Sequence, residues 1–362
     1  MKILFIVPEL YTKGGIQEFA KSIYSGLKDK FDLEIINWTY DLNIPSNIIL
    51  RRLPPKMGAY LFSRFYTDHF RRKHRTNDAD LLHFWHLEEA MPFLDKKYIV
   101  TCHGLEILAE NIKGYKKKLF PKVLSNAALI SADSRYTKEI IIKKFSINPK
   151  KIKIITPAID LEKFVHIKRV KKEKIIFGTL TRFNKRKNVP NIIKALNIIK
   201  ENYNIDFIYY LAGKGLEKKR IMRELKKAKF EWKYFGEISE EKKIKEFYPA
   251  LDVFVMPPLE MPGDVEGFGI VYLEANTYGI PVVASRTGGV PDAVKENISG
   301  VFADPSNPND IAIKIINLLR NKDKYYKSSK NWAKKFDVKI IAEEFATVYS
   351  KFLKTRYKEF SG

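Results

Sequence analysis

A chain of 362 residues is too long for one ordinary hydrophobic core, so two domains are expected. The hydrophobic share of 45% is that of a globular protein, no run of eighteen apolar residues offers a spanning helix, and the single cysteine, Cys102, excludes an internal disulfide and supplies no metal framework. The formal net charge of +24 points to a polyanionic partner (nucleic acid, an anionic membrane face or a phosphorylated ligand) or to composition alone, since the chain is rich in Lys, Ile and Asn and Gln17 is its only glutamine.

The N-terminal run MKILFIVPELY is apolar but is interrupted by Pro8 and Glu9. No small-residue cleavage site follows, so it reads as a buried strand rather than a leader, and a cytoplasmic location is expected. GIQEFAKSIYSGLKD then spaces Ile16, Phe19, Ala20, Ile23, Tyr24 and Leu27 as one face of a helix. DLEIINW reads as the next strand. The stretch 51–75, RRLPPKMGAYLFSRFYTDHFRRKHR, interleaves Arg51, Arg52, Lys56, Arg64, Arg71, Arg72, Lys73 and Arg75 with aromatic residues. It reads either as a basic amphipathic segment lying on an anionic membrane face or as a helix packing its aromatics into the domain. Asp78-Ala79-Asp80 mimics a metal-binding D-x-D but reads as a turn before a strand. DLLHFWH, KYIVTCHG and ALISADS are further buried strands. The three-residue offset of His83 and His86 puts them on opposite faces of theirs, which argues against a shared metal.

Strand–helix alternation implies a parallel sheet covered on both faces. Residues 162–174, EKFVHIKRVKKEK, are charged and aperiodic and read as a linker. The pattern then restarts with KIIFGTLTRF, helix VPNIIKALNIIKEN, DFIYYLAGKG, helix EKKRIMRELKKA, KYFGEIS, helix EEKKIKEFYPA, LDVFVMPP, helix IVYLEANTYG and PVVAS. This is a second doubly wound unit, and IIAEEFATVYSKFLKTRYKEF closes the chain as an amphipathic helix. The expected domains are 1–165 and 172–340, with the C-terminal helix, 341–362, packing back on the first. Two such units in tandem place a cleft between them, lined by the carboxyl ends of the strands.

Candidate site residues sit in the loops at those ends. Gly14 and Gly15 open the first helix, where unpaired amides and a partial positive charge suit a phosphate or acceptor contact; a tight strand–helix turn reads equally well. Arg182 and Lys187 follow the first strand of the second unit, where two fixed cations can hold a diphosphate and neutralise the charge it gains on leaving. Lys185 and Arg186 beside them read as a solvated charge run, and the glycine turn in AGKG reads as structural. In VEGFGIVYLEA, Glu266 stands just before a helix whose first amides belong to Phe268, Gly269 and Ile270, and Glu274 lies about two turns on. Carboxylates accept hydroxyl hydrogen bonds and amides receive phosphate oxygens, so this segment suits a ligand carrying both groups. Gly288–Gly289 follows it.

These motifs together resemble glycosyltransferase family 4, the group 1 retaining nucleotide-sugar transferases of GT-B fold. The family's E-x(7)-E runs here from Glu266 to Glu274, and its G-R-L-x-x-x-K-G appears as Thr181-Arg182-Phe183-Asn184-Lys185-Arg186-Lys187-Asn188, with Thr181 and Asn188 in place of glycines. LAGKG, YFGEIS, ALDVFVMPP, GIPVVAS, GGVPDAV and SGVFADPSNP fall in the family's order, and Gly14–Gly15, DLLHFWH, TCHGLE and ISADS are similar in the first half.

The resemblance implies an α/β GT-B enzyme with two Rossmann-like doubly wound domains facing each other across a cleft. It would transfer a hexose, with retention, from a nucleotide diphosphate sugar to a lipid-linked or glycan acceptor. It further implies that Glu266 contacts the transferred sugar, Glu274 the ribose, Arg182 and Lys187 the diphosphate, Gly14 or Gly15 the donor phosphate or acceptor, and His103 the sugar from the first domain. No cofactor, metal or nucleic acid is expected. GDVEGFGIVYLEA looks most like the family's lipid mannosyltransferases, which slightly favours GDP-mannose over UDP-glucose and suggests a peripheral place on the inner membrane face. The rival readings are a GT-B-like epimerase or phosphorylase, and a basic nucleic-acid-binding protein, for which no zinc pattern or RNP motif is present.

Overall fold

The apolar run at the N-terminus forms strand β1, Lys2–Val7, buried from Ile3 onward, as a strand covered on both faces must be. The structure, a computed structural model, describes residues 2–10, 14–38, 68–114, 116–164, 173–203 and 205–360. The chain divides into two compact units, Met1–Ile155 with Ile341–Gly362, and Thr156–Ile340. Two six-stranded parallel sheets organise them.

In the first unit β1 is joined by β2 (Asp32–Asn37), β3 (Leu81–Phe84), β4 (Tyr98–Cys102), β5 (Leu129–Ala132) and β6 (Ile152–Ile154) in the order β2-β1-β3-β4-β5-β6. The strand order reverses at β1, the kind of switch point at whose carboxyl end open α/β sheets bind ligands. Helix α1, Gly15–Leu27, follows β1 and buries Phe19, Ala20, Ile23 and Leu27, the spacing read in the sequence. Helices α2 (Lys116–Asn126) and α3 (Arg135–Phe145) flank β5 in the chain.

The C-terminal stretch returns to this unit. It buries Ile341, Ala342, Phe345, Val348 and Tyr349, one face of a helix. The Tyr349 hydroxyl lies 2.7 Å from His83 Nδ1, and Thr101 Oγ1 lies 2.8 Å from His83 Nε2. Burial lowers the His83 pKa to about 3, so the ring is a neutral bridge between sheet and helix.

Residues 51–67 of the basic aromatic stretch lie outside the described residues. Residues 68–73 are helical. Phe70 is buried beside Trp38, and Arg71 pairs with Asp95 while its guanidinium lies 4.8 Å from the Phe93 ring centroid. In this short part an aromatic packs inward. Asp78 sits in a turn and accepts from Arg75 Nε at 2.6 Å; Asp80 accepts from the Lys2 amide at 3.0 Å.

The second unit starts at its centre with β7 (Ile175–Leu180), runs outward through β8 (Phe207–Ala212) and β9 (Glu231–Tyr234), then crosses back to β10 (Val253–Val255), β11 (Val282–Ala284) and β12 (Gly300–Phe302). The order β12-β11-β10-β7-β8-β9 puts its switch point between β7 and β10. Alternate side chains feed opposite cores. Phe254, Val282 and Ala284 enter one, while Val253, Val255 and Val283 enter the other. Helices α4 (Val189–Asn202), α5 (Lys218–Leu225), α6 (Ile270–Thr277), α7 (Pro308–Arg320) and α8 (Lys322–Ala333) cover the sheet. Helix α9, Val338–Phe360, carries the chain back to the first unit.

Three local readings change. The second unit begins at Thr156, ahead of the charged run, because Ile159 and Phe164 enter its core and Ile159 bonds to Phe336 and Val338. The strand read at KYFGEIS starts earlier, at Glu231. The segment read as helix at EEKKIKEFYPA is a short α turn at Glu240–Lys242, a π turn at Lys243–Phe247 and a 3-10 turn at Tyr248–Ala250, where Pro249 has no amide to continue a helix. Among the described residues no helix is long and apolar enough to cross a membrane.

Candidate functional site

The loop after β7 sorts its cations by geometry. Asn184 caps a 3-10 turn at Lys185–Lys187 by accepting from the Lys187 amide at 3.1 Å. That turn buries Arg186 and Lys187 and leaves Arg182 and Lys185 exposed. Asn188 ends the turn in the left-handed region at φ +59°, a conformation that Asn tolerates, which accounts for Asn where the family pattern has Gly. Its side chain ties the loop down by donating to the carbonyls of Pro257 and Pro305. Gly213, in the AGKG turn, allows close approach beneath Arg182: a Cβ there would lie 1.8 Å from the Thr181 carbonyl oxygen.

The loop after β10 carries Glu266, which is buried. Its Oε2 receives both Lys187 Nζ and Arg186 Nη1, and Arg186 Nε donates to Asp264 Oδ1 at 2.7 Å. Two cations and two carboxylates thus cancel in one cluster, the condition for burying charge. Burial alone would raise the Glu266 pKa; Lys187 and Arg186 outweigh it and hold the carboxyl below its usual range, so it is ionised at neutral pH. The amides of Phe268, Gly269 and Ile270, just ahead of and into α6, donate to no carbonyl among the described residues. The Phe268 side chain itself lies in the core, which leaves only its amide to serve as a donor.

The glycine pair downstream closes this loop. Gly288 has φ +52°, and a Cβ on it would lie 2.2 Å from the Glu266 carbonyl oxygen, which accepts from the Gly289 amide at 2.9 Å. Gly288→Ala therefore combines backbone strain of roughly 1–3 kcal/mol with a clash against Glu266. Gly236 also has positive φ, +70°, but among the described residues a Cβ there meets nothing within 4 Å. Thermal melts of both variants should show the larger loss for Gly288→Ala, and equal losses would mean that the contact with Glu266 is not what the glycine protects.

Glu274 stands on α6 and is buried with a different set of partners. Lys243 Nζ donates to its Oε1 at 2.6 Å and the Tyr248 hydroxyl to its Oε2 at 2.6 Å; Lys243 also pairs with Glu240 at 2.7 Å. Among the described residues the two glutamates share no partner. Burial opposes the charge on Lys243, but Glu274 and Glu240 outweigh it and raise its pKa to about 12.

In the first unit Gly14 caps α1 with extended backbone, and the Gln17 side chain donates to the Pro8 carbonyl at 2.8 Å. A Cβ on Gly14 would meet Gln17, while one on Gly15 meets nothing within 4 Å among the described residues, so Gly15 is the more open of the two. His103 follows β4. Its Nε2 lies 2.8 Å from the Trp85 carbonyl, which can only accept, so Nε2 carries the proton. Burial lowers the His103 pKa, and the neutral ring keeps Nδ1, 3.9 Å from Asp133 Oδ2, as its acceptor. Cys102 beside it is fully buried. Among the described residues no group of three or more His, Cys, Asp or Glu is gathered as a metal-ligand set.

The sequence singled out Glu266, Glu274 and Lys187 as ligand contacts; the structure buries each of them against partners within the protein. Sequence reasoning missed Arg186, Lys243 and Tyr248, which complete these clusters. The Asn cap three residues before Lys187 was the available signal for Arg186. Lys243 carried none that separates it from the surface lysines around it.

The comparisons with known proteins agree with this architecture. The model described as "Glycosyltransferase Family 4" matches residues 13–163, and "Glycosyl transferases group 1" matches residues 160–336. The amylovoran biosynthesis glycosyltransferase AmsK of Erwinia amylovora is 25% identical over 229 residues, 62% of this chain and 56% of that protein. A GDP-mannose-dependent monoacylated alpha-(1-6)-phosphatidylinositol monomannoside mannosyltransferase of Corynebacterium glutamicum is 26% identical over 237 residues, 62% of this chain and 61% of that protein. The match thus spans somewhat more than half the length of these two relatives. Among solved structures, Anabaena HepE in complex with UDP-glucose superposes with a TM-score of 0.72 at 16% identity, covering 97% of this chain and all of that one, which establishes the GT-B fold. The two family models overlap at residues 160–163 and together account for residues 13–336, so the chain belongs to the group 1 glycosyltransferases of family 4.

Proposed function

We propose that this chain is a retaining hexosyltransferase that takes mannose or glucose from a nucleotide diphosphate sugar. The observation that carries the reading is the ionised, buried Glu266 at the β7–β10 switch point, beside the uncommitted amides of Phe268–Ile270. An anionic carboxylate is suited to sugar hydroxyls, and the adjacent amides are suited to phosphate oxygens. Arg182, exposed on the neighbouring loop, supplies the cation for the leaving diphosphate. Lys187 adds to it with the donors that Glu266 does not occupy, and Glu274 receives the ribose hydroxyls. His103 offers Nδ1 to the sugar, and Gly15 leaves room at the start of α1. The diphosphate takes the acceptor's proton as it departs, and the protein positions both substrates and stabilises charge, without a divalent ion.

GDP-mannose is favoured as donor by the Corynebacterium relative's name, and UDP-glucose is supported by the ligand in HepE. Calorimetric titration against a panel of nucleotide diphosphate sugars tests the reading, and saturable binding of at least one member is expected. No binding across the panel would contradict it.

The acceptor we propose is lipid-linked or a glycan, presented with residues 51–75 on an anionic membrane face. Each basic group near such a surface contributes on the order of 1 kcal/mol. The chain should sediment with anionic vesicles at low salt and not with neutral ones. Equal recovery in the supernatant everywhere would leave a soluble acceptor.

A further inference from the structure

Arg186 is one of three consecutive cations, yet at 7% exposure it is as buried as Glu266 at 8%. Its contacts reach three points of one loop. Nε donates to Asp264, Nη1 donates to Glu266, and its carbonyl accepts from the Leu259 amide at 2.7 Å. Residues 259, 264 and 266, all in the loop after β10, are thereby tied to the loop after β7. A planar guanidinium reaches two carboxylates in fixed directions, which an ammonium on a flexible stem cannot reproduce.

The two oxygens of Glu266 are unequal in consequence. Oε2 takes both Arg186 and Lys187. Oε1 takes no hydrogen bond among the described residues, and it is not one of the sealed polar atoms left unpaired, so it is the oxygen open to a ligand. Lys187 alone would leave the carboxylate free to turn about its last torsion, which is broad for glutamate.

We propose that Arg186 is the positioning residue of this site: by bridging Asp264 and Glu266 it fixes the loop and directs Oε1, rather than Oε2, at the sugar of the donor. The inference rests on the reading that Glu266 contacts the transferred sugar. It assigns to Arg186 the affinity for the sugar half of the donor, while the nucleotide diphosphate half is held elsewhere, by Arg182, the Phe268–Ile270 amides and Glu274.

The test is the ratio of two affinities, measured by calorimetry for GDP-mannose against GDP and UDP-glucose against UDP. It compares the wild type with Arg186→Lys, Arg186→Met, Asp264→Asn and Glu266→Gln, each melted to establish that it folds. Arg186→Lys should leave the affinity for the free nucleotide diphosphate within about threefold and weaken the sugar nucleotide about tenfold. KM for the donor should rise accordingly. Asp264→Asn should do the same to a smaller degree, and both decide the matter if Arg186→Met does not fold. A change in the ratio for Glu266→Gln but none for folded Arg186→Lys would overturn the positioning role and leave the donor reading standing. A change for Arg186→Lys with none for Glu266→Gln would show that Arg186 does not act through Glu266. No change in either would remove both.

Discussion

Lys187→Ala is expected to lose stability and turnover together, while Arg182→Ala loses turnover alone. Lys187 is buried against Glu266, and among the described residues its ammonium otherwise meets only the Met256 sulfur, at 3.8 Å. Removing it leaves Glu266 with Arg186 as its single cation. Breaking a buried pair costs about 3–5 kcal/mol, and the remaining Arg186 contact puts this case at the low end. Arg182 is exposed, and its truncation leaves no buried charge behind. Each variant should lower the rate about 10²–10³-fold, the scale of deleting one electrostatic stabiliser of a transition state. Thermal melts beside initial rates separate the two cases. Unchanged turnover in both would remove the diphosphate assignment, and an equal melting shift would contradict the different burial of the two cations.

The second large effect separates the two glutamates. Glu266→Ala should impair transfer far more than binding of the free nucleotide diphosphate, because the proposed role of its open oxygen is to meet the sugar. Glu274→Ala should weaken the nucleotide diphosphate itself. A hydrogen bond to a charged group contributes about 1.5–3 kcal/mol, so a loss of roughly 10- to 100-fold in affinity is expected there. Lys243 keeps Glu240 and Tyr248 keeps a weak contact to the Val271 carbonyl, so the Glu274 variant should fold. Glu266→Ala strips Lys187 of its counter-ion, so Glu266→Gln is the companion that keeps the shape. Reversed effects in calorimetry would mean that the roles are exchanged.

Much of this site was legible because its chemistry is local in sequence. The eight-residue spacing of Glu266 and Glu274, the position of Arg182 and Lys187 after a strand, and the glycine turns all lie within single loops. The strands were legible where apolar runs were long; β6 and β12, three residues each, were not picked out. What stayed hidden depends on distant partners. Arg186 differs from Lys185 only in what the turn buries, and its carboxylates lie 78 and 80 residues away. Tyr248 and Lys243 meet Glu274 across 26 and 31 residues, from a segment whose helical pattern is broken by a π turn. The purpose of Gly288 became plain only with the Glu266 carbonyl lying against it.

The most direct test of the central claim is the product itself. The chain should be incubated with GDP-mannose and with UDP-glucose, lipid-linked and glycan acceptors and excess chelator, and the new glycoside analysed by mass spectrometry and NMR. The account predicts release of nucleotide diphosphate coupled to a glycoside of the donor's own anomeric configuration, undiminished by the chelator and lost in Arg182→Ala. An inverted product, activity that needs added magnesium or manganese, or salt-dependent DNA binding with no turnover of any sugar nucleotide would contradict it.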